Sequence, residues 1–323
     1  MKKTGFVLVG ILIIIVTIIF LSNRGVPEVK ASSELLEWEA KAKIFDFNGH
    51  KISYHDTKGS SKEIVLLIHG FPTASWDWRF VWSQLRGEYR LITLDMLGFG
   101  LSDKPRDKVY SIDEQADIQE ALLKHLAITG VNILAHDYGD IVAQEMVARF
   151  NERKNDDSKI NIKSLVLLNG GIFPEQHKPR IIQTLLNSPV GSLVSMFSTQ
   201  QIFDKSFTPV FGEKTKPTKQ ELNDLWYLIT RQDGHQLSHK LIHYLNDRFE
   251  YRERWVGALQ LTEIPMLLID GTVDPVAGKQ TVERYIELIP NPNVIELENV
   301  GHYPHTESPE KVVKHYKDFI SSS

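Results

Sequence analysis

The chain is predicted to fold as an α/β protein: a mostly parallel, doubly wound sheet with an inserted helical lid, preceded by an N-terminal transmembrane helix. Three observations lead there. Short apolar runs alternate with helical patterns from residue 43 onward, one long aromatic-rich stretch breaks that rhythm, and an uncharged apolar run precedes both.

The first element is that run. Between Lys3 and Arg24, residues 5–22 are dominated by Ile, Leu, Val and Phe, close to the roughly 20 residues a spanning helix needs. A cleaved signal peptide is the rival reading, since Lys2 and Lys3 form a basic start and Val29-Lys30-Ala31 resembles a cleavage site. Against it, the run exceeds the roughly 7–15 apolar residues of a signal peptide, and Ala31 lies well beyond its end. Lys2 and Lys3 would hold the N-terminus in the cytoplasm, so the remaining chain is expected to be lumenal or extracytoplasmic.

Composition turns polar over residues 26–39, which reads as a linker after an anchor at 1–25. A hairpin follows, with alternating apolar residues on either side of Asn48-Gly49, a pair suited to a tight type I′ turn. Apolar runs at 64–68, 90–95, 131–135 and 165–168 read as buried strands. Between the middle two, residues 111–128 read as a helix opening with a Ser111-x-x-Glu114 capping box and closing before Gly130. Strands separated by helices imply a parallel sheet covered on both faces. After this first core segment, 40–173, the stretch 174–261 is helical and rich in aromatics, and is expected to be the lid. The second core segment, 262–323, brings strands at 266–269 and 294–297 and a last helix opened by Pro309.

The 323 residues have a hydrophobic fraction of 42% and a formal net charge of -4, with basic residues scattered among acids. No footprint for nucleic acid results. Cysteine is absent, which excludes disulfides, thiolate metal sites and a Cys nucleophile. His235, His239 and His243 share helical spacing, but no further ligand pattern accompanies them, and a solvated or packing stripe is the expected role. No metal and no cofactor is expected.

Chemistry concentrates at strand ends. The third core strand ends in Ala135-His136-Asp137-Tyr138-Gly139-Asp140 and runs straight into a helical pattern. That is the context of a nucleophile elbow, a sharp turn that lifts one side chain above the sheet and needs small residues on either side. The raised residue is Asp137; alone, it would equally suit a helix N-cap. His69-Gly70-Phe71-Pro72 follows the first core strand, where the Phe71 and Tyr138 amides would face one another as an oxyanion hole. Asp274 and His302 follow the last two strands. Nucleophile, acid and histidine in that order suit a triad on such a sheet.

These segments, together with Gly98-Phe99-Gly100-Leu101-Ser102-Asp103-Lys104-Pro105, resemble the haloalkane dehalogenase and epoxide hydrolase branch of the α/β-hydrolases over residues 43–320. Residues 136–140, 169–174 and 254–259 are similar to those of a membrane-associated member. The resemblance implies Asp137 as nucleophile, His302 as base, Asp274 as its partner, the Phe71 and Tyr138 amides as oxyanion hole, and a lid tyrosine as acid, with Tyr227, Tyr244 and Tyr251 the candidates. The aromatic lid and the anchor favour a small apolar substrate. Three positions depart from the branch: Tyr138 replaces the Trp usual beside the nucleophile, Phe71 stands where dehalogenases often have Asn, and Asp140 occupies a place usually held by a small residue. A carboxylate is already ionised at neutral pH and needs no base to attack. Attack on an acyl carbon would give an anhydride, so an sp³ carbon bearing an epoxide oxygen or halide is the expected electrophile. A silent member that binds a lipid or protein partner is the reading from another class.

Overall fold

Strand β3 (Ile64–Ile68) shows how the sheet is built, because its residues alternate between two apolar layers. Leu66 and Ile68 pack in one cluster with Ile133, Leu165 and Val142, whereas Val65 and Leu67 join another with Trp78, Val312 and Tyr316. A period of two on a strand sends neighbours to opposite faces. Both faces are therefore covered, as the continuous apolar runs predict.

The computed structural model describes residues 29–59, 61, 63–153 and 160–322. The predicted membrane span at 5–22 lies outside the described residues; among them, no helix is long and apolar enough to cross a membrane. With β1 (Lys43–Phe47), β2 (His50–Asp56), β4 (Arg90–Leu94), β5 (Gly130–His136), β6 (Asn161–Leu168), β7 (Met266–Gly271) and β8 (Val294–Leu297), the sheet has the order β1-β2-β4-β3-β5-β6-β7-β8. From β4 to β8 the pairings are parallel; β1 pairs with β2, and β2 with β4, antiparallel. The hairpin has the predicted turn, with Asn48 and Gly49 both at positive φ. Because β3 and β5 to β8 run the same way, the loops that follow them all emerge at one edge.

Helices α1 (Ser33–Lys41), α2 (Arg79–Leu85), α3 (Ile112–His125) and α4 (Tyr138–Glu152) precede β6. Over α1 the expectation of a linker fails: Ser32 caps the helix by accepting from Leu35 N at 3.1 Å, and Leu35 is fully buried. Ser111 caps α3 as its motif predicts. That helix ends earlier than expected, where Ala127 takes the left-handed conformation, and Gly130 instead begins β5.

Between β6 and β7 lie short 3₁₀ turns at Pro174–Gln176, Thr208–Val210 and Arg231–Leu237 and seven α-helices: α5 (Ile181–Leu186), α6 (Gly191–Met196), α7 (Gln200–Phe207), α8 (Lys219–Thr230), α9 (Ser238–Leu241), α10 (Tyr244–Glu250) and α11 (Arg252–Leu261). Helices α12 (Lys279–Leu288), α13 (Pro304–Glu307) and α14 (Pro309–Ser322) complete the chain. The insertion meets the core through an aromatic cluster containing Phe203, Phe207, Phe211, Trp226, Trp76 and Tyr303.

Candidate active site

At the end of β5 the backbone turns abruptly into α4, and Asp137 occupies the turn with φ 52° and ψ −112°. A non-glycine residue in this region is strained and persists only where its surroundings hold it. Two glycines make room. A Cβ on Gly139 would stand 2.5 Å from the Ile68 carbonyl oxygen, and one on Gly70 would stand 2.8 Å from Asp137 Cβ. The result is a carboxylate lifted above the sheet edge and buried.

Three loops converge on it. The Phe71 amide, after β3, donates to Asp137 Oδ1 at 2.8 Å. From the loop after β8, His302 sets Nε2 3.4 Å from Asp137 Oδ2 and Nδ1 2.8 Å from Asp274 Oδ2. Asp274, after β7, also accepts from Val276 N at 2.7 Å and Asn169 Nδ2 at 2.9 Å. His302 is itself held at both ends of its backbone: its N–H donates to the Val210 carbonyl, and its carbonyl lies 2.8 Å from His136 Nε2. Above these groups is a cavity of about 110 Å³, bounded by Asp137 and His302 below and by Phe203, Phe207, Trp226 and Tyr303 around it.

A sequence model of the alpha/beta hydrolase fold matches residues 63–309. The chain belongs to the α/β-hydrolase fold family. It is similar to the mesoderm-specific transcript protein of Mus musculus, with 43% identity over 308 residues, 92% of this chain and 91% of that one. Similarity extends to epoxide hydrolase 1 of Caenorhabditis elegans, at 22% identity over 277 residues, 84% of this chain and 68% of that protein. In fold it is similar to haloalkane dehalogenase DbeA from Bradyrhizobium elkani, with a TM-score of 0.72, 20% identity, and coverage of 87% and 99%.

Charge in this α/β-hydrolase site is arranged by burial and by close pairs. Burial opposes ionisation of Asp137, but the hydrogen bond and charge of His302, with His136 and the Phe71 amide, outweigh it and hold the carboxyl well below its usual range. For His302, burial disfavours the imidazolium, yet Asp274 and Asp137 together raise the ring well above the ordinary histidine range. Asp140, one turn into α4, is raised well above the carboxylate range by burial and by the charge of Asp137. These shifts favour the ionised form of Asp137, the protonated form of His302 and the neutral form of Asp140.

Of the three lid tyrosines the sequence offered, one adjoins the site. Tyr244 is buried, its ring 4.7 Å from that of Tyr138 and 6.2 Å from that of Phe71. Tyr227 is not there: its hydroxyl donates to Glu39 of α1 and accepts from Arg231. Tyr251 is not there either, being 40% exposed and packed on Trp255. The cavity wall instead carries Tyr303, next to His302, which spacing did not single out. His235 also lines the cavity, whereas His239 bonds to Ser195, so the histidine stripe does not converge. One buried set of metal-type donors exists among the described residues, Asp77, His136 and His305, with ligand atoms within 4.8 Å of one another. None of the three lines the cavity; Thr73 donates to Asp77, and the two imidazole rings pack tilted at 4.4 Å. Burial pushes Asp77 up to about 7 and His136 down to about 3.

Asn169 is the residue that sequence reasoning missed. At positive φ after β6, it accepts from Gly271 N at 2.9 Å while donating to Asp274. Its signal was available: an Asn-Gly-Gly at the end of β6, 105 residues from Asp274 in the chain but next to it in the sheet.

Proposed function

We propose that this hydrolase opens an epoxide on a small apolar substrate through a covalent ester on Asp137. The observation that carries the reading is the carboxylate at the strained elbow, set between the Phe71 amide and the His302 ring. Asp137 attacks an sp³ carbon of the epoxide, the carbon–oxygen bond breaks, and the departing oxygen takes a proton from Tyr303, the tyrosine in the cavity wall. Esterification removes the Asp137 charge that favours the imidazolium, so His302 passes its proton to the Tyr303 phenolate and becomes neutral. His302 then deprotonates a water that attacks the ester carbonyl, and the Phe71 and Tyr138 amides hold the oxyanion. As it collapses, the bond from Cγ to the diol oxygen breaks, that oxygen takes the proton of the newly added hydroxyl, and Asp137 is left ionised beside a protonated His302. Asp274 keeps His302 in the tautomer this step requires and stabilises its imidazolium. The helical insertion over residues 174–261 acts as the lid that supplies the apolar wall.

The test is a panel of epoxides, haloalkanes and carboxylic esters offered to the protein and to Asp137→Ala, His302→Gln and Tyr303→Phe. Expected are epoxide turnover, its complete loss in Asp137→Ala, and a fall of about 10²–10⁴-fold in His302→Gln, with an alkyl adduct accumulating on the Asp137 peptide. Tyr303→Phe should slow adduct formation from epoxides and spare haloalkanes. Ester hydrolysis that survives Asp137→Ala would overturn the nucleophile. Turnover of haloalkanes in preference to epoxides would shift the reading to a dehalogenase, and turnover of nothing in the panel to a silent binder.

Residues 5–22 are placed in the same proposal as a single membrane span with the hydrolase domain on the lumenal or extracytoplasmic side. Protease protection of the domain in sealed membranes checks the side; release by alkaline carbonate would refute the span.

A further inference from the structure

Apolar side chains on the outside of this protein are unevenly placed. Among the described residues fourteen large ones are exposed, and six of them fall between residues 181 and 202: Ile181, Leu185, Val190, Leu193, Met196 and Ile202. They occupy the outer sides of α5 to α7 and the turns between them, and Ile181 is 82% exposed. Scattered exposed apolar residues need no explanation, whereas a concentrated patch marks a surface that something covers.

The patch continues into the active site. A surface groove of about 580 Å³, lined by Ile181, Leu185 and Pro179 with Lys178 and Lys205, shares Arg180, Ile182, Ile202 and Ser206 with the cavity above Asp137. An apolar chain lying on the patch would have an apolar path to the carboxylate.

Charge selects the occupant. In a chain with 41 acidic residues, the stretch 176–203 contains none, while Lys178 and Arg180 stand at its start and Lys205 just past its end. No carboxylate pairs with these three among the described residues. Glu175 and Asp204 border the stretch, paired with Arg252 and Lys219 respectively, and an apolar face with no acid within it and unpaired basic residues at its margin suits the headgroup boundary of a bilayer containing anionic lipid.

With the proposed span at 5–22, the course of the chain would bring that face toward a membrane. Val29 and Ala31 pack against the aromatic cluster of the insertion, and Ser32 binds Asp224 of α8 through both its backbone N–H at 2.7 Å and its hydroxyl at 2.6 Å. Helix α8 is tied in turn to α7 by Gln200 and Asn223. From Ser22, where the apolar run ends, to Val29 the chain can reach about 25 Å at full extension. A span at 5–22 would thus tether the insertion rather than the opposite end of the sheet.

We infer that the outer face of α5 to α7 rests in the headgroup region of the bilayer and admits apolar substrate from the membrane through the adjoining groove. This rests on the proposed anchor and apolar substrate. The absence of cysteine makes the test direct. The full chain, carrying Leu193→Cys, Met196→Cys or the control Ile44→Cys on β1, is labelled with an environment-sensitive fluorophore and reconstituted into vesicles of phosphatidylcholine and phosphatidylserine. Labels at 193 and 196 should shift to the blue and lose their emission when brominated acyl chains are included, while the label at 44 should stay open to aqueous iodide.

Iodide access to 193 and 196 in a chain that resists carbonate extraction would overturn the docking and leave the anchor standing. A chain extracted by carbonate would overturn both. Shielding that ignores brominated lipid and grows with the ratio of protein to lipid would place a second copy on the face and likewise overturn the proposal.

Discussion

Asn169 shows how much of a site can hang on a residue that touches no substrate. It fixes Asp274 from one side and the start of the β7 loop from the other, so its removal should let Asp274 rotate away from His302. Asn169→Ala is expected to lower kcat about a hundredfold, the cost of a small misplacement of reacting groups, with KM little changed. Steady-state kinetics on whichever substrate the panel identifies would measure it. Asp140 has the opposite character. Its folded pKa lies above the unfolded value, so as pH rises through the unfolded carboxylate range near 4 the unfolded chain loses a proton that the folded one keeps, and stability falls from there upward. Asp140→Asn removes that dependence. Thermal melts should find the variant gaining on the parent between pH 5 and 8, and an unchanged difference across that window would show that Asp140 is ionised in the fold. Asp137 was legible in the sequence because an elbow demands small neighbours, yet the neighbours that matter are Gly139 and Gly70. The second of these lies in the loop after β3, far from the elbow in the chain, and only the fold brings it there.

Among elements, α4 carries the consequences of its position. Its N-terminus forms the elbow, and its middle is held against α11 by Glu145, which accepts from Arg149, from Arg254 and from Trp255 Nε1 at 2.8 Å. Glu145→Ala would strand the Trp255 indole N–H and take one carboxylate from two guanidinium groups, of which Arg149 keeps Asp117 and Arg254 keeps Glu152. A buried donor left without its acceptor costs about 1–3 kcal/mol, read as a reduced midpoint in urea. The parallel order of strands was legible because period and length distinguish buried strands from helices, and with it the convergence of Phe71, Asp137, Asp274 and His302 on one edge. The choice among lid tyrosines was not. Rotation of each insertion helix is set by packing on the core, which moves Tyr227 onto Glu39 and leaves Tyr251 in solvent. Helix α1 escaped for a related reason: its sequence is polar on most sides, and what fixes it is Asp224, almost two hundred residues away.

For the whole molecule, that contact joins the start of the described chain to the insertion. Asp224→Ala should speed amide exchange across residues 29–41 and leave β3 and β5 as they were, since local opening reports local contacts. Exchange that rises throughout would mean the contact supports the entire fold. A further consequence follows from the hydrogen bond between the Phe71 amide and Asp137 Oδ1. In the proposed reaction, with that oxygen already engaged, the oxygen free to attack would be Oδ2, and Oδ1 would become the ester carbonyl without changing partners. Each turnover would then carry Oδ2 away in the product and replace it from water, while Oδ1 is kept. In heavy-oxygen water, Asp137 should come to hold one labelled atom and never two, however many cycles it completes.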